Sequence, residues 1–225
     1  MRTEQLHHKK IFIIDGTTDI GKDIVQSFLL ESATVIVPAF SMEKLMQLEA
    51  YVKDIRTGKL ITFLTDVIFN RTTVVSEMLK KIFMEVDLIV TIVENDTKSY
   101  SFFTDVEISE LKKTTANELT PCLICSQIFL THKRNTSCMY VAMTQNYTQK
   151  SLRPADQFLL NVQTHIAELV SEERNRIKTN YYHLFLEEET QNASKERDAP
   201  GLIGRYILDI FSEAYPPHEQ AFICL

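Results

Sequence analysis

Glycine is scarce in this sequence. The chain has five glycines and no tryptophan among 225 residues, whereas glycine ordinarily makes up about 7% of a globular protein. Glycine lets a backbone adopt left-handed turns and approach a ligand closely. The shortage argues against a fold with many glycine loops, and it makes the position of each remaining glycine informative.

Basic faces and long apolar runs are also missing. The formal net charge is −6, and no cluster of lysine or arginine offers the basic face that binding to nucleic acid requires. No apolar stretch reaches the roughly 18 residues that span a membrane, and the polar segment 1–10 lacks the apolar core of a signal peptide. We therefore expect a cytoplasmic protein with neither a nucleic acid nor a membrane as its partner.

The four cysteines do not have the spacing of a metal site. Cys122 and Cys125 form a CxxC motif, but apolar residues of a helical pattern surround them, which favours buried thiols over a redox pair. Cys138 and Cys224 fall in strand candidates, and the adjacent His7 and His8 lie in a polar tail. We expect no metal site.

The sequence alternates between strand and helix patterns over one domain, residues 1–225. Hydrophobic residues make up 44% of the chain and charged residues 24%, as in ordinary globular proteins. The strand candidates are Lys10–Asp15, Thr34–Val37, Leu60–Thr65, Leu88–Val93, Cys138–Met143, Ile177–Tyr182 and Ala221–Cys224. The helical patterns lie near Ile20–Glu31, Met42–Ile55, Thr72–Met84, Ser109–His132, Ala155–Glu173 and Leu202–Glu213. This alternation predicts an α/β fold with a parallel sheet of about seven strands and helices on both faces.

The first strand, turn and helix hold the most specific signal. The apolar run Ile11–Ile14 leads into Gly16, and a helical pattern follows Gly21. Glycines at such a turn allow a sharp bend and a close approach to a pyrophosphate, whose charge the first helix amides hold. Asp19 is a good N-cap residue. We therefore expect its carboxylate on the amides that a pyrophosphate would need.

The segment KIFIIDGTTDIGKDI, residues 10–24, resembles the TGxxxGxG turn of the short-chain dehydrogenase/reductase family. The resemblance continues with Asp66-Val67 after the third strand and with Asn117 in TTANEL. Two later segments also resemble family motifs: Ile177–Asn180 resembles IRVN, and His218–Ile223 resembles TGQxIxV. It implies a Rossmann-like doubly wound domain that binds NAD(P). In the family these positions place Asn117 in a proton relay, and the implied cofactor site contains Gly16, Asp19, Ile20, Gly21, Asp66 and Val67.

The chain departs from the family at this cofactor site. Aligned through Ile20 and Gly21, the turn is one residue short and has Asp19 in place of the middle glycine. A carboxylate about 5 Å from a phosphate charge repels it by roughly 3 kcal/mol at an effective dielectric near 20, about a hundredfold in affinity. The fourth strand reads TIVE instead of NNAG, Pro38–Phe40 lacks the residue that reads the ribose, and Leu184-Phe185 replaces a prolyl-glycine pair. We expect dinucleotide binding to be weak or lost.

The family's proton-donor motif, YxxxK, is absent from the sequence. In the family this spacing places an ammonium beneath the phenol and lowers a pKa otherwise near 10. The nearest substitute is Tyr147 with Lys150, three residues apart, and Thr144 is the candidate for the serine that polarises the carbonyl. Each residue also has a plain structural reading: Thr144 ends a strand, Asn117 braces a helix and Asp66 caps a strand end.

Two interpretations of function follow from the resemblance. The first is a non-catalytic subunit or scaffold. The fourth and fifth long helices keep apolar stripes and in the family pack against a second subunit, so we expect a homo-oligomer (dimer or tetramer) or a hetero-oligomer with an active relative. The second is an NAD(P)-dependent oxidoreductase of small carbonyls or alcohols, whose atypical site contains Asn117, Thr144, Tyr147 and Lys150. A protein that binds another small ligand in the same cleft is a third possibility without a positive signature.

Overall fold

A sheet of seven strands forms the centre of the molecule. The computed structural model describes residues 6–39, 41–64, 80–93, 109, 120–132, 137–146, 161–162, 164–165, 168–169, 172–173, 180–187, 202–213 and 222–224. Its strands are β1 (Lys10–Ile14), β2 (Thr34–Ala39), β3 (Lys59–Leu64), β4 (Leu88–Val93), β5 (Met139–Asn146), β6 (Asn180–Glu187) and β7 (Phe222–Cys224). The helices with described bounds are α1 (Asp19–Leu30), α2 (Met42–Tyr51), α3 (Thr120–His132) and α4 (Leu202–Glu213).

The strand order is β3-β2-β1-β4-β5-β6-β7, and all neighbouring strands are parallel. The chain builds the sheet outward from β1 to β3, then crosses to β4 and continues to β7. The carboxyl ends of β1 and β4 therefore flank the point where the strand order reverses, which is where open parallel sheets bind ligands. The predicted doubly wound parallel sheet is confirmed.

Helices cover both faces of the sheet, because the strands send alternate side chains to opposite sides. Ile11 and Ile13 of β1 pack with side chains of α1, α2 and α4, and Phe12 and Ile14 pack with α3 and the helical residues 80–85. All four strand side chains are buried, which explains why β1 is a continuous apolar run. None of the helices in the described part of the chain has the length and apolarity of a membrane span.

Several predicted bounds are confirmed and others differ. β4 and α4 have the predicted bounds. β6 spans Asn180–Glu187 and continues past the predicted end at Tyr182, so Leu184-Phe185 lies within this strand and not after it. Residues 177–179 lie outside the described residues. β2 extends to Ala39 and β5 to Asn146. Most of the predicted helices Thr72–Met84 and Ala155–Glu173 lies outside the described residues.

Asp87 fixes the register of the central strands at the amino edge of the sheet. Its Oδ2 accepts a hydrogen bond from the Lys10 amide at 2.9 Å, and its Oδ1 forms an ion pair with Lys9 Nζ at 2.9 Å. Its backbone amide donates to the Lys10 carbonyl and its carbonyl accepts from the Met139 amide. These bonds join β1, β4 and β5, and so set the relative positions of their carboxyl ends.

Candidate functional site

The turn from β1 into α1 lies at the reversal point of the strand order. Asp15 has a φ of 58°, in the left-handed region that favours glycine. Thr18 is the N-cap of α1. Its Oγ1 accepts a hydrogen bond from the Gly21 amide at 3.1 Å and donates one to the Asp15 carbonyl at 2.9 Å. The Thr18 amide also donates to the Asp15 carbonyl at 3.1 Å, so Thr18 closes the turn with its backbone and its side chain and caps the helix.

Asp19 does not cap the helix. It is the first residue of α1, its side chain is 99% exposed, and its Oδ1 lies 3.1 Å from Lys22 Nζ. A hydroxyl can donate and accept at once, whereas a carboxylate only accepts, so Thr18 alone can satisfy both backbone partners. The prediction that the Asp19 carboxylate occupies the first amides is wrong. In water its repulsion of a phosphate charge about 5 Å away falls to about 1 kcal/mol.

The structure also indicates which residues of the turn occupy the three glycine positions of the family motif. Counted back from Gly21, Asp15 and Asp19 fall on the first and second glycines of TGxxxGxG, and the left-handed residue is Asp15 rather than Gly16. In this alignment the turn has full length, whereas an alignment of Gly16 with the first glycine leaves it one residue short. Gly21 keeps a steric role, because a Cβ there would collide with the Asp15 carbonyl oxygen and lie 2.6 Å from the Gly16 Cα. A close approach of helix and strand is the role of the third glycine in such turns.

Charge around the turn is negative. Residues 15–23 contain three aspartates and one lysine, a formal charge of −2. Asp23 faces α4, where its Oδ2 accepts a hydrogen bond from the Gly204 amide at 3.2 Å, while Lys22 pairs with Asp19. A pyrophosphate binds best where helix amides meet it without competing anions. The described residues of this turn therefore do not fit a pyrophosphate well.

A second polar contact joins a residue near the carboxyl end of β5 to a residue at the middle of β6. Thr144 Oγ1 and His183 Nε2 are 2.8 Å apart, with the two residues 1% and 3% exposed. Burial lowers the pKa of His183 to about 4, so the imidazole is neutral at physiological pH. Sequence reasoning named Thr144 but missed His183. The sequence pointed to His183 only through its place three residues after Asn180, the last residue of the segment that resembles the family's IRVN.

Tyr140 anchors β4 to α3 on the sheet face that also carries Thr144. Its hydroxyl lies 3.1 Å from Thr91 Oγ1 and accepts a hydrogen bond from Ser126 Oγ at 3.2 Å. Its ring stacks on Tyr181 of β6 with centroids 5.1 Å apart. Thr91 is the first residue of TIVE, the segment of β4 at the position of the family's NNAG. A buried network of hydroxyl groups therefore holds this segment in place.

The predicted site residues are only partly described. Gly16, Asp19, Ile20 and Gly21 share the β1–α1 segment, with Ile20 half-buried against the core beneath α1. Thr144 lies on β5. Five more predicted residues lie outside the described residues: Asp66, Val67, Asn117, Tyr147 and Lys150. Within the described ranges, no three His, Cys, Asp or Glu side chains are grouped as a metal site.

Solved structures share this architecture over nearly their whole length. A short-chain type dehydrogenase/reductase from Mycobacterium marinum superposes with a TM-score of 0.72 at 15% identity, covering 100% of this chain and 97% of its own. A putative 3-oxoacyl-reductase from Bacillus thuringiensis gives 0.72 at 14%, covering 96% of each chain. An alcohol dehydrogenase from the archaeon Thermococcus sibiricus, complexed with 5-hydroxy-NADP, gives 0.68 at 13%, covering 96% and 95%. No protein-family profile and no curated protein sequence matches the chain. The chain therefore has the fold of the short-chain dehydrogenases and reductases.

Proposed function

We propose that this chain is a non-catalytic relative of the short-chain dehydrogenases/reductases that has lost tight NAD(P) binding and works as a subunit or scaffold. The observation that carries the proposal is the pair of aspartates, Asp15 and Asp19, at the first two glycine positions of the phosphate turn. The Thermococcus enzyme of the same fold is complexed with an NADP analogue, so NAD(P) is the ligand to test first.

The proposed loss is electrostatic and leaves the turn folded. Aspartate and asparagine are the residues other than glycine that most readily adopt the left-handed region, so Asp15 keeps the bend at a φ of 58°. Gly21 keeps the close contact between helix and strand. The backbone shape of the turn therefore persists while its charge opposes a pyrophosphate.

Removal of both charges should restore part of the affinity. In the double variant Asp15→Asn and Asp19→Asn the first asparagine keeps the left-handed bend, and each lost carboxylate removes about 1 kcal/mol of repulsion at about 5 Å in water. The dissociation constants of NADH and NADPH should fall about thirtyfold. Calorimetric or fluorescence titration of the purified wild type and variant measures the change.

The matched control for this titration is Asp54→Asn. Asp54 is also an exposed acid, but it follows α2, away from the turn, so its variant should bind like the wild type. A low-micromolar dissociation constant for NADH or NADPH in the wild type would contradict the proposal. Equal affinities for the wild type and the double variant would remove its electrostatic basis.

Assembly is the second part of the proposed function. α3 belongs to the fourth long helical pattern, and it exposes Leu123, Gln127 and Thr131 at four-residue steps while it buries Cys125 and Phe129. Leu123 is 45% exposed. We propose that this face contacts a second copy or an active relative. Light scattering after size exclusion measures the mass, and a strictly monomeric protein at micromolar concentration, alone and mixed with a relative, would contradict this part.

An oxidoreductase with an atypical site is the second candidate, and the Thr144–His183 contact favours it. Thr144 lies where the resemblance implies a carbonyl-polarising hydroxyl, and a neutral imidazole holds its Oγ1 at 2.8 Å. A screen of small carbonyls and alcohols with NADH and NADPH tests this candidate. Turnover that falls about a hundredfold in Thr144→Val, and also falls in Tyr147→Phe, would establish it. Without turnover, the non-catalytic proposal is supported.

A further inference from the structure

Exposed apolar side chains are concentrated at one edge of the sheet. Nine large hydrophobic residues are exposed among the described residues, and five of them lie on β3 and α2: Ile61, Leu64, Met42, Met46 and Tyr51. β3 is the first strand in the sheet order and pairs with β2 on one side. Within the described ranges, no strand pairs with its other side.

β3 has few of the features that protect an edge strand. Its sequence, KLITFL, contains no proline or glycine, and its six residues keep an unbroken register with β2. Lys59 at the amino end is its single charge. Ile61 and Leu64 are 37% and 43% exposed. A regular apolar edge of this kind is a template for the addition of another strand.

We propose that β3 pairs antiparallel with β3 of a second copy of this chain, about a two-fold axis at Thr62. Backbone hydrogen bonds between the two strands would join two seven-stranded sheets into one continuous sheet. The proposal does not depend on whether the chain binds a dinucleotide.

The side chains of β3 are self-complementary in this register, as a two-fold interface requires. With Thr62 opposite its own copy, Ile61 of one strand lies opposite Phe63 of the other. On the opposite face Leu60 lies opposite Leu64. Every apolar side chain thus meets an apolar one, and pairs of β-branched and aromatic residues across strands are favourable.

Helix α2 adds apolar surface to one face of this pairing. Thr62 Oγ1 donates to Glu49 Oε1 of α2 at 2.9 Å, which places α2 on the face that carries Leu60, Thr62 and Leu64. A two-fold axis perpendicular to the sheet keeps both copies of α2 on that face. The exposed Met42 and Met46 of α2 therefore lie on the same side as the Leu60–Leu64 pairs.

Charge selects the antiparallel arrangement. A parallel pair would place the two Lys59 ammonium groups side by side, where they repel. The antiparallel pair separates them by six residues, roughly 20 Å at about 3.3 Å per residue, which exceeds the screening length of about 8 Å at physiological salt. The antiparallel register therefore pairs the apolar residues of this strand and separates its single charge.

Ile61→Lys tests the pairing by placing a charge at its centre. At micromolar concentration, sedimentation velocity should show an assembled wild type and a variant with half its mass. Met84→Lys is the matched control, because Met84 is also exposed but belongs to the helical residues 80–85, and it should keep the wild-type mass. A monomeric wild type, or an unchanged mass in Ile61→Lys, would overturn the proposal.

Cysteine cross-linking gives a second reading that does not require the lysine variant to fold. In Thr62→Cys the two introduced residues would face each other with Cβ atoms roughly 5 Å apart, so mild oxidation should give a disulfide-linked dimer on a non-reducing gel. Lys59→Cys, with its copies roughly 20 Å apart, should not cross-link above the wild-type background. Equal cross-linking of the two variants would overturn the β3 pairing, even if the protein assembles through α3.

Discussion

Gly21→Ala should lower the free energy of unfolding by about 3 kcal/mol or prevent folding altogether. The added Cβ would collide with the Asp15 carbonyl oxygen and the Gly16 backbone. A backbone cannot rotate away as a side chain can, so α1 would have to lift from β1. That movement would break the Thr18 cap and unpack Ile24 and Phe28, which are fully buried in the core. Urea unfolding followed by circular dichroism measures the loss.

Gly16→Ala is the matched control in the same turn. A Cβ on Gly16 would meet the side-chain methyl groups of Val37 at 2.9 Å and Ile13 at 3.3 Å. Side chains can yield by a few tenths of an ångström, so we expect a loss of about 1 kcal/mol. Equal losses in the two variants would contradict the close backbone approach at Gly21. Because neither substitution changes charge, this comparison also separates the shape of the turn from its electrostatics.

The regular elements could be predicted where one pattern governed a whole element. β4 is a short apolar run and α4 an amphipathic stretch, and both have the predicted bounds. The sixth strand was predicted to end at Tyr182, but β6 continues to Glu187. The apolar and aromatic residues after Asn180 were a better guide, since they continue to Leu186 and are paired with β5 throughout.

The turn shows why the sequence could not identify which residue is the N-cap of α1. Thr18 and Asp19 are both good N-cap residues, and composition cannot choose between them. The Asp15 carbonyl accepts from both the amide and the hydroxyl of Thr18, and the second of these bonds is one that a carboxylate cannot make. The bend at Asp15 was in turn missed because glycine is the usual residue for a left-handed turn, and Gly16 was next to it.

The contact between Thr144 and His183 was predictable only in part. Thr144 was predicted to end the fifth strand, but it lies within β5, which continues to Asn146, and its contact with His183 joins residues 39 positions apart in sequence. Only the pairing of β5 with β6 brings the two together. Asp66, Val67, Asn117, Tyr147 and Lys150 stay predictions. The negative charge of the β1–α1 turn is the feature that sequence and structure support together, although the Asp19 carboxylate does not occupy the helix amides.

The stability of the protein should fall as the pH falls from about 6.5 to about 4, because of His183. Burial lowers the pKa of its imidazole from 6.5 to about 4 in the folded chain. Between these values the unfolded chain binds a proton that the folded chain does not, so the free energy of unfolding decreases on acidification. At about 1.4 kcal/mol per pH unit, this group lowers the free energy of unfolding by about 3 kcal/mol between pH 6.5 and pH 4.

Urea unfolding between pH 7 and pH 4.5 measures this dependence. Other groups also titrate in the range, so the test is the difference between the wild type and His183→Gln, which cannot ionise. The variant should lose about 1.4 kcal/mol per pH unit of the wild-type slope. Thr144→Val should keep that slope, because burial rather than the Thr144 contact lowers the pKa of His183. A His183→Gln slope equal to that of the wild type would contradict a buried, neutral imidazole beneath the carboxyl edge of the sheet.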